Sequence, residues 1–210
     1  ALFGPFCRSW CFFCDFCALG AFNVFVAVFA LLALLVLFGA FYLTFDTSLG
    51  HFYGFTFRKF NMKPYLTLLG IALIFIIIGS FFGDLQSYYP RYKVNHGLSF
   101  AVHHEVPTWV SVLIYESTYA TSFITVEFIF RGFLIYAFVK YFGPYAILPM
   151  VATYCFLHFG KPAIETLSSI FGGYVLGIIA LKNKNIWGGV MVHVGVAWSM
   201  ELFGYLQTRF

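Results

Sequence analysis

Charge is what this chain has least of. Only 12 lysines and arginines and 8 aspartates and glutamates occur in 210 residues, so 10% of the chain is charged. Soluble domains carry roughly a quarter, and so low a share excludes an ordinary soluble globular protein. The basic residues form no block, and the formal net charge of +4 is modest. That leaves no electrostatic footprint for nucleic acid. Leu2 to Leu19 carries Arg8 and Asp15 and lacks a small-residue cleavage site, so it does not read as a signal peptide. No glycine-rich cofactor domain is apparent either.

What is present is apolar: 61% of residues are hydrophobic and 23% aromatic. At roughly 20 apolar residues per crossing, the chain has room for about six spans. The composition therefore predicts an all-α, polytopic transmembrane helical bundle. The runs fall at residues 21–45, 65–82, 109–142, 145–159, 163–181 and 186–206. Three parts follow: a cysteine- and aromatic-rich segment over 1–20, interfacial or an extra helix; two transmembrane helices and a polar loop over 21–107; and a helical core over 108–210.

Cys7, Cys11, Cys14 and Cys17 crowd the first part. Their spacing suits an iron–sulfur cluster, acylation beside a membrane, or one face of a buried or interfacial helix. Asp84 to Pro107 is polar for this protein, and its length suggests a lid or a short surface helix. His103, His104 and Glu105 near its end read as solvated or interfacial. Lys161 and Glu165, near a helix start, read as capping and interface charges. Ser169, Gly173 and Gly177 recur every fourth residue, a spacing that lets membrane helices approach closely.

The 109–142 run is too long for one untilted crossing. It is either a single tilted helix or two helices broken near Ser117 to Ser122. One crossing gathers Arg58, Lys59, Lys63, Lys140, Lys182 and Lys184 on one side, the cytoplasmic side by the positive-inside tendency. This run also holds Glu116, Glu127 and Arg131. A charge at bilayer depth costs at least ~2.5–3.5 kcal/mol, so these groups must face the protein interior and find partners. Glu127 and Arg131 lie one helical turn apart and satisfy each other. In a continuous helix Glu116 and Glu127 fall within about 20° around the axis. Two later helices add His158 and His193, and the last also presents Gly189, Ala197 and Glu201 at every fourth position. Two imidazoles and a carboxylate are either the ligand set of a hydrolytic metal site, a means of holding and deprotonating a water, or a packed ion pair with two core histidines.

Three stretches carry a family resemblance: Val126-Glu127-Phe128-Ile129-Phe130-Arg131, Tyr154-Cys155-Phe156-Leu157-His158, and His193-Val194-Gly195-Val196-Ala197. In order and spacing they resemble the Glu-Glu-x-x-x-Arg, Phe-x-x-x-His and His-x-x-x-Asn motifs of the CPBP intramembrane metalloproteases, which include the CAAX prenyl endopeptidases and bacterial Abi proteins. The resemblance covers roughly the last hundred residues. It implies a multi-pass protein, of a bacterial cytoplasmic membrane, that cleaves a membrane-embedded or lipidated peptide. It further implies Glu127, Arg131, His158 and His193 as catalytic residues and a divalent metal, zinc, on Glu127, His158 and His193. Two positions depart from the pattern. Val126 stands where the family has the glutamate that activates water, and Ala197 where it has the oxyanion-steadying asparagine. Glu116 and Glu201 are the candidate substitutes. Three functions compete: the endopeptidase, a non-catalytic subunit of a larger membrane complex surrounded by lipid and other subunits, and a redox or pigment-binding protein using His103, His104 or the cysteines.

Overall fold

The computed structural model describes residues 21–94 and 97–207, with side chains described at Val26 and from Val28 onward. The four amino-terminal cysteines lie outside the described residues. The described chain is all helical. Helix α1, Ala21–Phe41, runs through a wider turn over Tyr42–Asp46 and ends at Thr47–Leu49. Helix α2 is Lys63–Gly79, with Pro64 in its first turn where no amide partner is lost. Short helices α3 (Gly83–Tyr88), α4 (Arg91–Val94) and α5 (Gly97–His103) fold the polar loop. Helix α6, Thr108–Glu127, continues through a wide turn at Phe128–Leu134 into α7, Ile135–Phe142. Gly143, at φ 54°, stops it. Helix α8 is Ile147–Phe156, α9 is Ala163–Asn183, and α10 is Trp187–Gln207.

Four helical stretches are long and apolar enough to cross a membrane: Val28–Leu49, Thr108–Phe156, Ala163–Asn183 and Trp187–Gln207. The second folds back at Gly143 and contributes α6–α7 and then α8, and the 17-residue α2 is shorter but apolar. The expected run 145–159 is helical only over Ile147–Phe156, because the chain turns at Leu157. The α6–α7 helix is not broken near Ser117 to Ser122.

Helix α2 packs beside α10, α8 beside α9, α6 beside α10, and α1 along α6. The most apolar window of α1 buries none of its residues within the bundle, so α1 is a perimeter helix for lipid. Small residues set the close approaches. A Cβ on Gly177 would strike Met150 and Ile147, and one on Gly173 would press on Tyr154, so the small stripe of α9 is a packing surface.

The polar loop is fastened by buried carboxylates. Glu201 accepts the Arg91 and Tyr92 amides at 2.7 and 3.2 Å, and Glu165 accepts the Tyr89 hydroxyl at 2.9 Å and the Lys161 ammonium at 2.7 Å. Asp84 caps the start of α9 through the Ala163 amide at 2.9 Å. At the other end Asp46, 1% exposed, accepts from Tyr53 at 2.8 Å and from Lys140 at 2.6 Å.

Candidate active site

The α6–α7 helix widens immediately after Glu127. Such wide turns are frequent at functional sites. This one places Glu127 and Arg131 on the inward face, 0% and 1% exposed, with Arg131 Nη1 2.9 Å from Glu127 Oε1. The loop between α1 and α2 closes over the turn, since a Cβ on Gly132 would collide with the Tyr53 carbonyl.

His193 reaches the same carboxylate from α10, its Nδ1 2.6 Å from Glu127 Oε1. Its Nε2 lies 2.5 Å from the Tyr154 hydroxyl on α8. The Tyr154 O–H can donate to Nε2, whereas the contact of Nδ1 with the carboxylate is short but lacks hydrogen-bond geometry. Phe123 stacks on the imidazole, 5.4 Å between ring centroids and 2° between planes. The Arg131 guanidinium lies over the Tyr154 ring at 4.1 Å. Both carboxylate oxygens of Glu127, Nε and Nη1 of Arg131 and Nδ1 of His193 are buried without a partner in hydrogen-bond geometry, so these side chains meet through short polar contacts. Gly189 lies so close to Oε2 that a Cβ there would overlap it. The recurrence of Gly189 and His193 on α10 thus serves one purpose, to admit the carboxylate and then to hold it.

His158 belongs to the turn after α8. Its Nδ1 meets the Tyr154 carbonyl at 3.2 Å, and its ring lies 4.7 Å from that of Tyr154. Burial, and secondarily the Lys161 charge, push its pKa down to about 4, so it is neutral near pH 7. Glu201 is committed to the Arg91 and Tyr92 amides. Glu116 is half-buried, and its Oε2 has no hydrogen-bond partner. Val126 packs against the cluster of Phe130, Met150 and Tyr154, and Ala197 is buried on α10.

Glu127, Arg131 and His193 are therefore in direct contact, with His158 joined to them through Tyr154. Tyr154 is the member sequence reasoning treated only as an aromatic in place of phenylalanine. Its signal was the hydroxyl itself, a polar group in an apolar helix one turn before a histidine. The placed residues do not fit a three-ligand metal site. No group of three His, Cys, Asp or Glu side chains converges among the described residues.

The site is thus a buried Glu–Arg pair met by His193 from another helix, with His158 reaching it through Tyr154, inside a bundle of apolar helices. Residues 106–199 match the family model described as type II CAAX prenyl endopeptidase Rce1-like, and this region holds all three motifs that resemble the CPBP pattern. No curated protein and no solved structure matches the chain.

Proposed function

We propose that this protein is an intramembrane endopeptidase of CAAX-protease type in which a carboxylate–imidazole pair takes over the work of the missing glutamate. The observation that carries this is the 2.6 Å contact between Glu127 and His193 Nδ1 inside the bundle. A buried carboxylate that fixes one imidazole nitrogen leaves the other as a base, and stabilises the imidazolium that forms. In turnover a water displaces the Tyr154 hydroxyl at Nε2, loses its proton to His193 and attacks the peptide carbonyl. The freed tyrosine hydroxyl then donates to the oxyanion in place of the absent asparagine. His193 returns the proton to the leaving amine, and the bond is hydrolysed with protons in balance. Arg131 orients Glu127 throughout. The substrate class is a membrane-embedded or lipidated peptide, as in the family.

A second reading is favoured by Val126 and Ala197, both packed as apolar residues at the family's working positions. In it the site is a structural lock, and the protein is a non-catalytic subunit of a membrane complex. Proteoliposomes carrying a lipidated peptide separate the two. Endopeptidase activity that Glu127→Gln, His193→Ala and Tyr154→Phe each reduce at least a hundredfold, and that chelators leave intact, supports the first reading. A protein without turnover, or turnover unchanged in all three variants, overturns it in favour of the second. One equivalent of zinc in the purified protein overturns the metal-free arrangement.

A further inference from the structure

The end of the bundle that gathers the cations holds a cavity of about 280 Å³ between the α1–α2 loop and the α9–α10 turn. Its polar wall comprises His51, Arg58, Lys59, Asn183 and Lys184, and no carboxylate lines it. None of Arg58, Lys59 and Lys184 forms an ion pair among the described residues, whereas Lys140 and Lys161 do. The three cations have thus been brought together without internal compensation. Their proximity is felt at His51, whose pKa is pulled below the ordinary value by burial and then by Lys184 and Arg58.

The frame of this cavity is built. Asn185, 1% exposed, donates to the Thr56 and Arg58 carbonyls at 2.8 and 3.3 Å and accepts the Trp187 amide at 2.8 Å. The Ile186 amide donates to the Gly54 carbonyl at 3.1 Å. Gly54, at φ 71°, allows the close approach, since a Cβ there would press on Tyr136 and the Lys184–Asn185 backbone. These bonds rivet the loop carrying Arg58 and Lys59 to the turn carrying Lys184.

The depth of the cavity is equally defined. It opens where α1 and α9 end, at Leu49 and Asn183, and where α10 begins at Trp187. Trp187 stacks on Phe57, 5.0 Å between centroids, and Phe57 is 83% exposed. Aromatics at helix ends mark the headgroup level of a bilayer, where anionic phosphates concentrate.

We propose that this cavity is a phosphate site, in which Arg58, Lys59 and Lys184 receive the phosphate group of a lipid headgroup or of a free phosphate at the membrane surface. Arginine offers paired donors to two phosphate oxygens, and the lysines supply point charges.

The test uses the full chain in neutral detergent, stripped of lipid. Native mass spectrometry follows uptake of phosphatidylglycerol and phosphatidylcholine, and calorimetry follows inorganic phosphate. The expected result is one phosphatidylglycerol per chain, bound at least tenfold more weakly by an Arg58→Gln/Lys59→Gln/Lys184→Asn variant. Asparagine at 184 keeps the left-handed backbone that Lys184 adopts at φ 50°. A Lys63→Gln/Lys182→Gln variant, altered at the same end but away from the cavity, should bind as the parent does. Inorganic phosphate that displaces the lipid identifies a free anion as a ligand of the same site, and lipid uptake unaffected by phosphate identifies the headgroup. Equal uptake of phosphatidylcholine, or equal weakening in the two variants, overturns the proposal. Thermal unfolding of each variant shows whether the chain remains folded.

Discussion

Replacing Arg131 with methionine should be among the most damaging single changes available, and replacing its partner as well should repair most of the damage. Arg131 and Glu127 are 1% and 0% exposed and 2.9 Å apart. Removing the guanidinium leaves a carboxylate in the bundle interior with only His193 beside it. Breaking a buried pair in this way costs ~3–5 kcal/mol. In Arg131→Met/Glu127→Gln neither charge remains, so that cost disappears, and methionine fills much of the arginine's volume. What stays lost is the guanidinium over the Tyr154 ring, worth about 2 kcal/mol when desolvated, together with the carboxylate contact to His193. The double variant should therefore lie ~2–3 kcal/mol below the parent, less destabilised than Arg131→Met alone. Reversible unfolding in mixed micelles, read by tryptophan fluorescence, measures all members of the cycle. Additive losses, or a single-variant loss under about 1 kcal/mol, would refute the argument that the pair is a mutually dependent buried unit.

Gly189→Ala should act on the same centre by crowding: its methyl would overlap Glu127 Oε2, so we expect a loss of ~1–3 kcal/mol from overpacking in the same unfolding assay, against little effect for Gly172→Ala. Nothing lies within 4 Å of a Cβ on Gly172, which makes it the control. For His158 the folded pKa of about 4 lies below the ordinary 6.5, so the unfolded chain takes up the proton first. Its contribution to stability is therefore lost as pH falls from about 6.5 to about 4. His158→Gln should flatten that part of the stability–pH curve, and an unchanged slope would show that another group sets it. Restoring the family residues with Val126→Glu/Ala197→Asn should raise peptide turnover by ~10²–10³, the worth of one oxyanion donor, provided the scaffold still presents the family geometry. Turnover that does not rise in a folded variant would show that the site has been remodelled beyond those two positions.

Much of the fold was legible because bilayer energetics leave few choices. The apolar runs became helices, four stretches of which are long and apolar enough to cross a membrane, and the Gly143-Pro144 turn ended its helix as read. The carboxylate–arginine pair found its partner within one turn, as a charge at that depth requires. The continuity of the α6–α7 helix was not legible. Ser117 to Ser122 looks like a break, yet Thr118, Thr121 and Ser122 donate their hydroxyls to carbonyls of the preceding turn and leave the helix intact. The role of Glu201 was hidden too, because its partners are the backbone amides of Arg91 and Tyr92, and every residue but proline carries one. Tyr154 was hidden for a different reason. A motif match scores it as an aromatic, while its consequence lies in a hydroxyl that meets His193 from another helix.

The two apolar replacements and the tyrosine bear on one another. Val126 removes a carboxylate from the cluster of Phe130 and Tyr154, and Ala197 removes an amide one turn beyond His193. The His193 Nε2 is met instead by the Tyr154 hydroxyl. The remaining cluster runs from carboxylate to imidazole and from imidazole to phenol, with the guanidinium over the phenol ring. The Tyr154–His193 bond is consequently the gate of any chemistry here, because water gains the imidazole only when that bond opens. Tyr154→Phe distinguishes the two readings by sign. In an endopeptidase it removes the oxyanion donor and turnover falls. In a structural lock it costs only stability, about 1 kcal/mol for a neutral hydrogen bond, and there is no turnover to lose.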